Sequence, residues 1–187
     1  MAEISTVAVI GGGAMAQMIA LAAIRGGYRT ILQNILPTSL RNAENEIRKS
    51  LDQAVQGGEL SSNDADSAFR LLEYAGTVEE AARQADLVIE AVPDEMDSKL
   101  EIITLLDKVS RPHTILACTT SSLSVTEIAS VTYRPENILG MRFADKRLEL
   151  VRGRETNDAT VAACIEVGRQ MGNEVVVIAE DRHATDA

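Results

Sequence analysis

The chain has 187 residues, 45% of them apolar, which is enough for one α/β domain and its core and leaves little for a second. Its formal charge of −10, with acidic and basic residues interspersed, suits a soluble protein and excludes the basic stripe of a nucleic-acid surface. Two cysteines make no disulfide framework, no basic segment with an apolar run and cleavage site opens the chain, and no apolar stretch nears the roughly 18 residues of a membrane span, so a cytoplasmic protein with no membrane partner is expected.

Ile4 to Ile10 is a β-branched run that stops at three glycines, and Ala14 to Arg25 then repeats apolar residues at a helical period before Gly26-Gly27. Arg29 to Gln33 reads as a second buried strand, so strand, turn, helix and strand make one right-handed βαβ unit. From Ser39 to Leu72 the sequence is polar, with Ile47, Leu51 and Val55 on one helical face and Gly57-Gly58 as a break, which predicts a helical hairpin. Strands are then expected at Asp86–Val92, Thr114–Cys118 and Asn137–Met141, alternating with helices near Thr77–Gln84, Glu95–Val109 and Ser124–Ser130. Leu148–Val151 reads as a short strand, Asn157–Met171 as a helix and Glu174–Ile178 as a last strand before a polar tail. The expected fold is α/β: a doubly wound Rossmann-type parallel sheet with a helical-hairpin insertion, built as one domain over 1–187.

Gly11, Gly13 and Ala16 form a G-x-G-x-x-A turn between the first strand and the first helix. Gly11 permits the tight turn, Gly13 lets the backbone approach a pyrophosphate, and Ala16 keeps helix and strand close. With Ala14 and Met15 they place the unpaired amides and positive dipole end of a helix where phosphates bind, so a dinucleotide is the expected ligand. At the end of the second strand, where an NAD-binding domain usually carries an acid for the ribose hydroxyls, stands Asn34. Asparagine still bonds a ribose hydroxyl but lacks the charge that repels a 2′-phosphate. NAD is favoured because no arginine follows directly, although Arg41 is within reach; a plain turn role for Asn34 before Pro37 stays open.

Other chemistry-bearing residues offer less. His113 and His183 have no carboxylate or cysteine at ligand spacing, so no metal is expected and both read as surface residues. Cys118 ends a strand on the side where ligands bind, and either lines the pocket or packs as a small apolar residue. Met15 and Met18 are expected in the core, and Ser121 and Ser122 lack a nearby histidine for hydrolase chemistry.

The segments VAVIGGGAMAQMIA, ADLVIEAVPDEMDSKLEI, HTILACTTSSLSVTEIA, RPENILGMRF and LELVRG stand in the order and approximate spacing of one family. Nearly end to end, the chain resembles the N-terminal NAD-binding domain of the 3-hydroxyacyl-CoA dehydrogenases. The resemblance implies an NAD-dependent oxidoreductase of fatty acid metabolism that moves hydride between a 3-hydroxyacyl-CoA and NAD, with an acyl-CoA as small-molecule substrate and a homodimer as the assembly. It implies that the helical hairpin helps hold coenzyme A, that Asp94 lies near the nicotinamide ribose, and that Lys99 helps hold the cofactor. Ser121 matches a serine of the family's S-N-T-S-S-L segment that touches substrate and nicotinamide, although Cys118 and Thr119 replace the residues that open it. Glu149 occupies the place of the glutamate that orients the catalytic histidine.

The histidine itself, in a family G-x-H-F-F-N-P segment, is replaced: the sequence reads Gly140-Met141-Arg142-Phe143-Ala144-Asp145-Lys146. With a pKa above about 12, Arg142 binds an anion or polarises a carbonyl but cannot cycle a proton. The following segment is several residues shorter than the family's, with Asp145 where the asparagine would stand. Ordinary hydroxyacyl-CoA oxidation is therefore expected to be lost. Two alternatives stay open: a non-catalytic cofactor-binding or structural member of the family, or an oxidoreductase in which Ser121, Arg142 and Glu149 serve a different anionic substrate. The family continues into a helical domain that closes the substrate cleft and usually makes the dimer. That domain is expected to be absent from this sequence, unless another chain supplies it or the sequence is a piece of a longer one.

Overall fold

The β-branched N-terminal run forms β1 (Thr6–Ile10), buried along its whole length as the central strand of a parallel sheet must be. The computed structural model describes residues 3–34 and 36–180, and within them the expected alternation of strands and helices is present. Helix α1 (Ala14–Arg25) buries Ala16, Ile19, Ala20, Ala23 and Ile24, and its three small residues let the helix axis approach the sheet closely. Gly26 caps it, with its N–H on the Ala22 carbonyl, and β2 (Arg29–Gln33) follows in parallel register with β1.

The polar stretch folds as two helices, α2 (Pro37–Gln56) and α3 (Ser62–Phe69), the second opened by Ser61, which accepts from the Asp64 N–H. Ala43, Ile47 and Leu51 are buried against the core and Val55 packs beside them, so the helical period seen in the sequence is the buried face. The hairpin ends sooner than expected, because Leu72–Ala75 forms an edge strand, β3, parallel to β2. Four residues after a helix give too short an alternation to stand out from the helical period before it.

The second series comprises α4 (Val78–Ala82), β4 (Leu87–Glu90), α5 (Met96–Val109), β5 (Ile115–Thr119), α6 (Val125–Ala129) and β6 (Ile138–Ala144). Then come β7 (Arg147–Arg152), α7 (Asp158–Gln170) and β8 (Glu174–Ala179). The sheet order is β3-β2-β1-β4-β5-β6-β7-β8. The sheet is mostly parallel, as the Rossmann-type reading expects, with one reversal: β7 is antiparallel to β6, and β8 is parallel to β7, so the last two strands run opposite to the other six. The reason is length. Only Asp145 and Lys146 separate the paired residues Ala144 and Arg147, and a parallel crossover needs about a dozen residues or more.

Helices α1, α2, α3 and α7 cover one face of the sheet and α4, α5 and α6 the other, each over its own apolar cluster. At the amino-terminal edge Asp86 ties β4 to the start of β1, accepting from the Ser5 and Thr6 N–H groups at 3.0 Å and from the Ser5 hydroxyl at 2.9 Å. Burial pushes the Asp86 carboxyl up, but these bonds and the nearby Arg111 outweigh it and leave its pKa below the ordinary value. At the opposite edge, the carboxyl ends of β1, β2, β4, β5 and β6 open together, with the topological switch between β1 and β4. No helix among the described residues is long and apolar enough to cross a membrane.

Candidate functional site

The glycine turn lies at that switch point. Gly11 has φ +141°, and a Cβ there would stand 2.6 Å from the Ala91 carbonyl oxygen, so only glycine lets β1 and β4 diverge this tightly. Gly13 is the N-cap of α1, has no side-chain cap, and would place a Cβ in open space. The first amides of α1 therefore face an unobstructed approach, the arrangement that a pyrophosphate requires. Ala14 and Met15 open the helix and are exposed, while Ala16 is fully buried against the sheet.

Asn34 takes the turn role left open for it. Its Oδ1 accepts from the Leu36 N–H at 2.9 Å, an Asx turn into α2. Its Nδ2 lies over Gly12, where a Cβ would come within 1.4 Å. The side chain thus closes the glycine turn from the β2 side, and the group it leaves available is a donor rather than the acceptor an acid would give.

At the end of β4 the sequence reading missed a residue. Glu90 is fully buried, and Lys99 from α5, also fully buried, donates to both its carboxylate oxygens at 3.0 Å. Glu90 also accepts from the Val92 N–H at 2.6 Å. Burial pushes the Glu90 carboxyl above its ordinary pKa, against the pull of the Lys99 charge. A glutamate at the last position of an otherwise apolar strand, nine residues before a lysine on the next helix, is the signal that marked it.

The lysine continues to Asp94, at 4.0 Å from Oδ1, and Asp94 Oδ2 accepts from the Ser121 N–H at 2.9 Å and its hydroxyl at 2.8 Å. Burial raises the Asp94 pKa, but the bonds from Ser121 and Thr120 and the Lys99 charge outweigh it and hold the carboxyl below the usual range. Asp94 is thus a charged acceptor that orders the loop after β5. The same loop meets β6, where Arg142 Nε donates to the Thr120 carbonyl at 3.0 Å. Arg142 stands directly opposite Glu149 in the β6–β7 register, but Glu149 pairs with Arg147 at 3.1 Å. Ser121, Arg142 and Glu149 are thereby brought to one end of the sheet, with Asp94 and Lys99 beside them.

A family model for the NAD-binding domain of 3-hydroxyacyl-CoA dehydrogenase matches residues 6–182. The chain belongs to this family. Over 181 residues it is 33% identical to the probable 3-hydroxybutyryl-CoA dehydrogenase of Bacillus subtilis (strain 168), an alignment covering 94% of this chain and 63% of that protein. The (S)-3-hydroxybutyryl-CoA dehydrogenase of Ralstonia eutropha has the same fold with TM-score 0.91 at 28% identity, over 96% of this chain and 65% of that one. The Escherichia coli K12 3-hydroxybutyryl-CoA dehydrogenase gives TM-score 0.91 at 31% identity, over 95% of this chain and 39% of that one. The chain spans less than two thirds of the length of these relatives.

The family's NAD-binding domain is thus present with its glycine turn intact. Cys118 is fully buried, with its thiol pKa pushed up to about 12 by burial, so it packs against the core and offers no thiolate. The expectation that Met15 and Met18 pack in the core is wrong: they are 41% and 42% exposed, because α1 turns its alanines to the sheet and these two methionines outward. Met18, Leu60, Phe143 and Met171 instead line a surface cleft of about 510 Å³. His113 is exposed, and His183 lies outside the described residues. No cluster of metal-ligating side chains occurs among the described residues.

Proposed function

We propose that this chain is an NAD(H)-binding domain of the 3-hydroxyacyl-CoA dehydrogenase type in which the ordinary proton-transfer chemistry is lost. Gly11, Gly13, Ala14, Met15 and Ala16 would seat the pyrophosphate at the start of α1, Asn34 would meet the adenosine ribose, and Asp94 and Lys99 would face the nicotinamide ribose. Bound there, the nicotinamide supplies the acceptor or donor of hydride. Ser121 would present its hydroxyl to the substrate, oriented by Asp94.

One observation carries the reading: the strand position where the family resemblance places the catalytic histidine holds Arg142, a permanent cation whose Nε is fixed on the Thr120 carbonyl. A base for the substrate hydroxyl needs a pKa near the working pH, and guanidinium has none there. Glu149, which would orient that histidine, is taken by Arg147. An acyl-CoA as substrate belongs to this reading, supported by the names of the relatives; a homodimer is carried over from the family resemblance and a cytoplasmic setting from composition. Two measurements on the pure protein test it. NADH titration by nicotinamide fluorescence should give a dissociation constant in the micromolar range, about −8 kcal/mol. Incubation with NAD and 3-hydroxybutyryl-CoA should give no NADH above background, and sustained turnover would overturn the reading.

A further inference from the structure

Arg142 has lost the role its position held and has gained no structural one that uses its full hydrogen-bonding capacity. Its Nε is anchored at 3.0 Å to the Thr120 carbonyl, yet neither terminal amino group donates to any described residue. It has no carboxylate partner among the described residues. Glu149, directly across the hairpin, is held by Arg147, and Glu180, which shares a cavity with Arg142, spends both oxygens on α6. There Glu180 accepts from the Val125 N–H at 2.6 Å, the Thr126 N–H at 3.0 Å and the Thr126 hydroxyl. A half-buried guanidinium with two uncommitted amino groups is a fork awaiting a planar acceptor.

The surroundings set its size and charge. A cavity of about 140 Å³ is walled by Ser122, Leu123, Ser124, Arg142, Val151 and Glu180 among others, room for a small polar group and not for an acyl chain. One uncommitted cation balances one negative charge, and with Glu149 and Glu180 close by, a second negative charge would meet repulsion. A carboxylate therefore suits the site better than a phosphate dianion. Resting on the reading of this strand end as the substrate position, we propose that Arg142 receives a carboxylate of the substrate through its two terminal amino groups, making it the residue that selects an acid over a neutral compound. Anchoring at Nε holds the guanidinium plane in place, so little rotamer freedom is lost on binding.

Calorimetric titration of the full chain with acetate, its neutral analogue acetamide and inorganic phosphate, at constant ionic strength and with NADH titrated separately, tests this. Acetate should bind one site per chain, acetamide should be at least about tenfold weaker, and R142Q should lose acetate by at least about tenfold while keeping its NADH affinity. R142K, which keeps the charge and loses the fork, should fall between the two. Equal binding of acetate and acetamide, an R142Q variant that binds acetate as the parent does, or phosphate binding tighter than acetate would each overturn the assignment. Acetate binding without NADH binding would sustain Arg142 as an acid site and sink the cofactor reading, whereas the reverse would sink only the acid site.

Discussion

Glu90 and Lys99 form a closed pair with no solvent contact, one residue ending β4 and the other on the first turn of α5. Breaking one side of such a pair leaves a buried charge without its partner, which costs about 3–5 kcal/mol. E90Q should therefore lower unfolding stability by roughly that amount in urea titrations. The double variant E90Q/K99M should recover most of the loss, because two neutral side chains need no compensation. If E90Q unfolds at the parent's midpoint, the buried pair contributes no net stability.

The two outer glycines of the turn should separate folding from binding. G13V meets open space at an ordinary φ, so its stability should change by less than about 1 kcal/mol while NADH affinity falls at least about tenfold. G11A should instead destabilise the fold, since its Cβ would strike the Ala91 carbonyl at 2.6 Å on a backbone that disfavours side chains. Thermal melts and NADH fluorescence on both variants measure the split; equal effects on both readouts would contradict it.

Asn34 presents a donor toward the glycine turn where an acid would present an acceptor and a charge. N34D keeps the oxygen that accepts from Leu36 and adds the charge that repels a 2′-phosphate. The ratio of NADPH to NADH dissociation constants should rise about tenfold in N34D over the parent. An unchanged ratio would place Asn34 in the turn alone.

Asp86 supplies an acid-labile tie at the other edge of the sheet. Its folded pKa is lowered from an unfolded value near 3.9, so its stabilisation is complete above that value and disappears as pH falls through the folded one. D86N should lose about 1–3 kcal/mol at neutral pH and flatten the acid side of the stability profile. Denaturation midpoints for parent and variant, measured from neutral pH downward, should converge at low pH.

The alternation of β-branched runs with helical periods laid out seven of the eight strands in advance, because each buried strand of a parallel sheet is a short apolar block between turn residues. β3 escaped because four edge residues carry no block of their own. The reversal at β7 escaped because direction is a property of the connection, here a two-residue turn, and not of the strand composition. For the site, Gly11, Gly13 and Ala16 were legible through their spacing. Glu90 was hidden among apolar neighbours, and its meaning depends on a lysine that the next helix brings back over the strand end. The outward Met15 and Met18 were misread because alanine-rich helices bury their small residues, and hydrophobicity alone does not say which face that is.

The tight turn at Asp145, whose φ of 51° lies in the left-handed region, also bears on how this site could change over time. Arg142 is laddered against Glu149 in a hairpin that reverses three residues later. A histidine placed there by one codon change would inherit a strand's geometry rather than that of the longer segment in the family pattern. On the proposed reading, recovering a proton relay here takes a longer turn as well as a histidine. A substitution at Arg142 alone leaves that two-residue turn and its strand register unchanged.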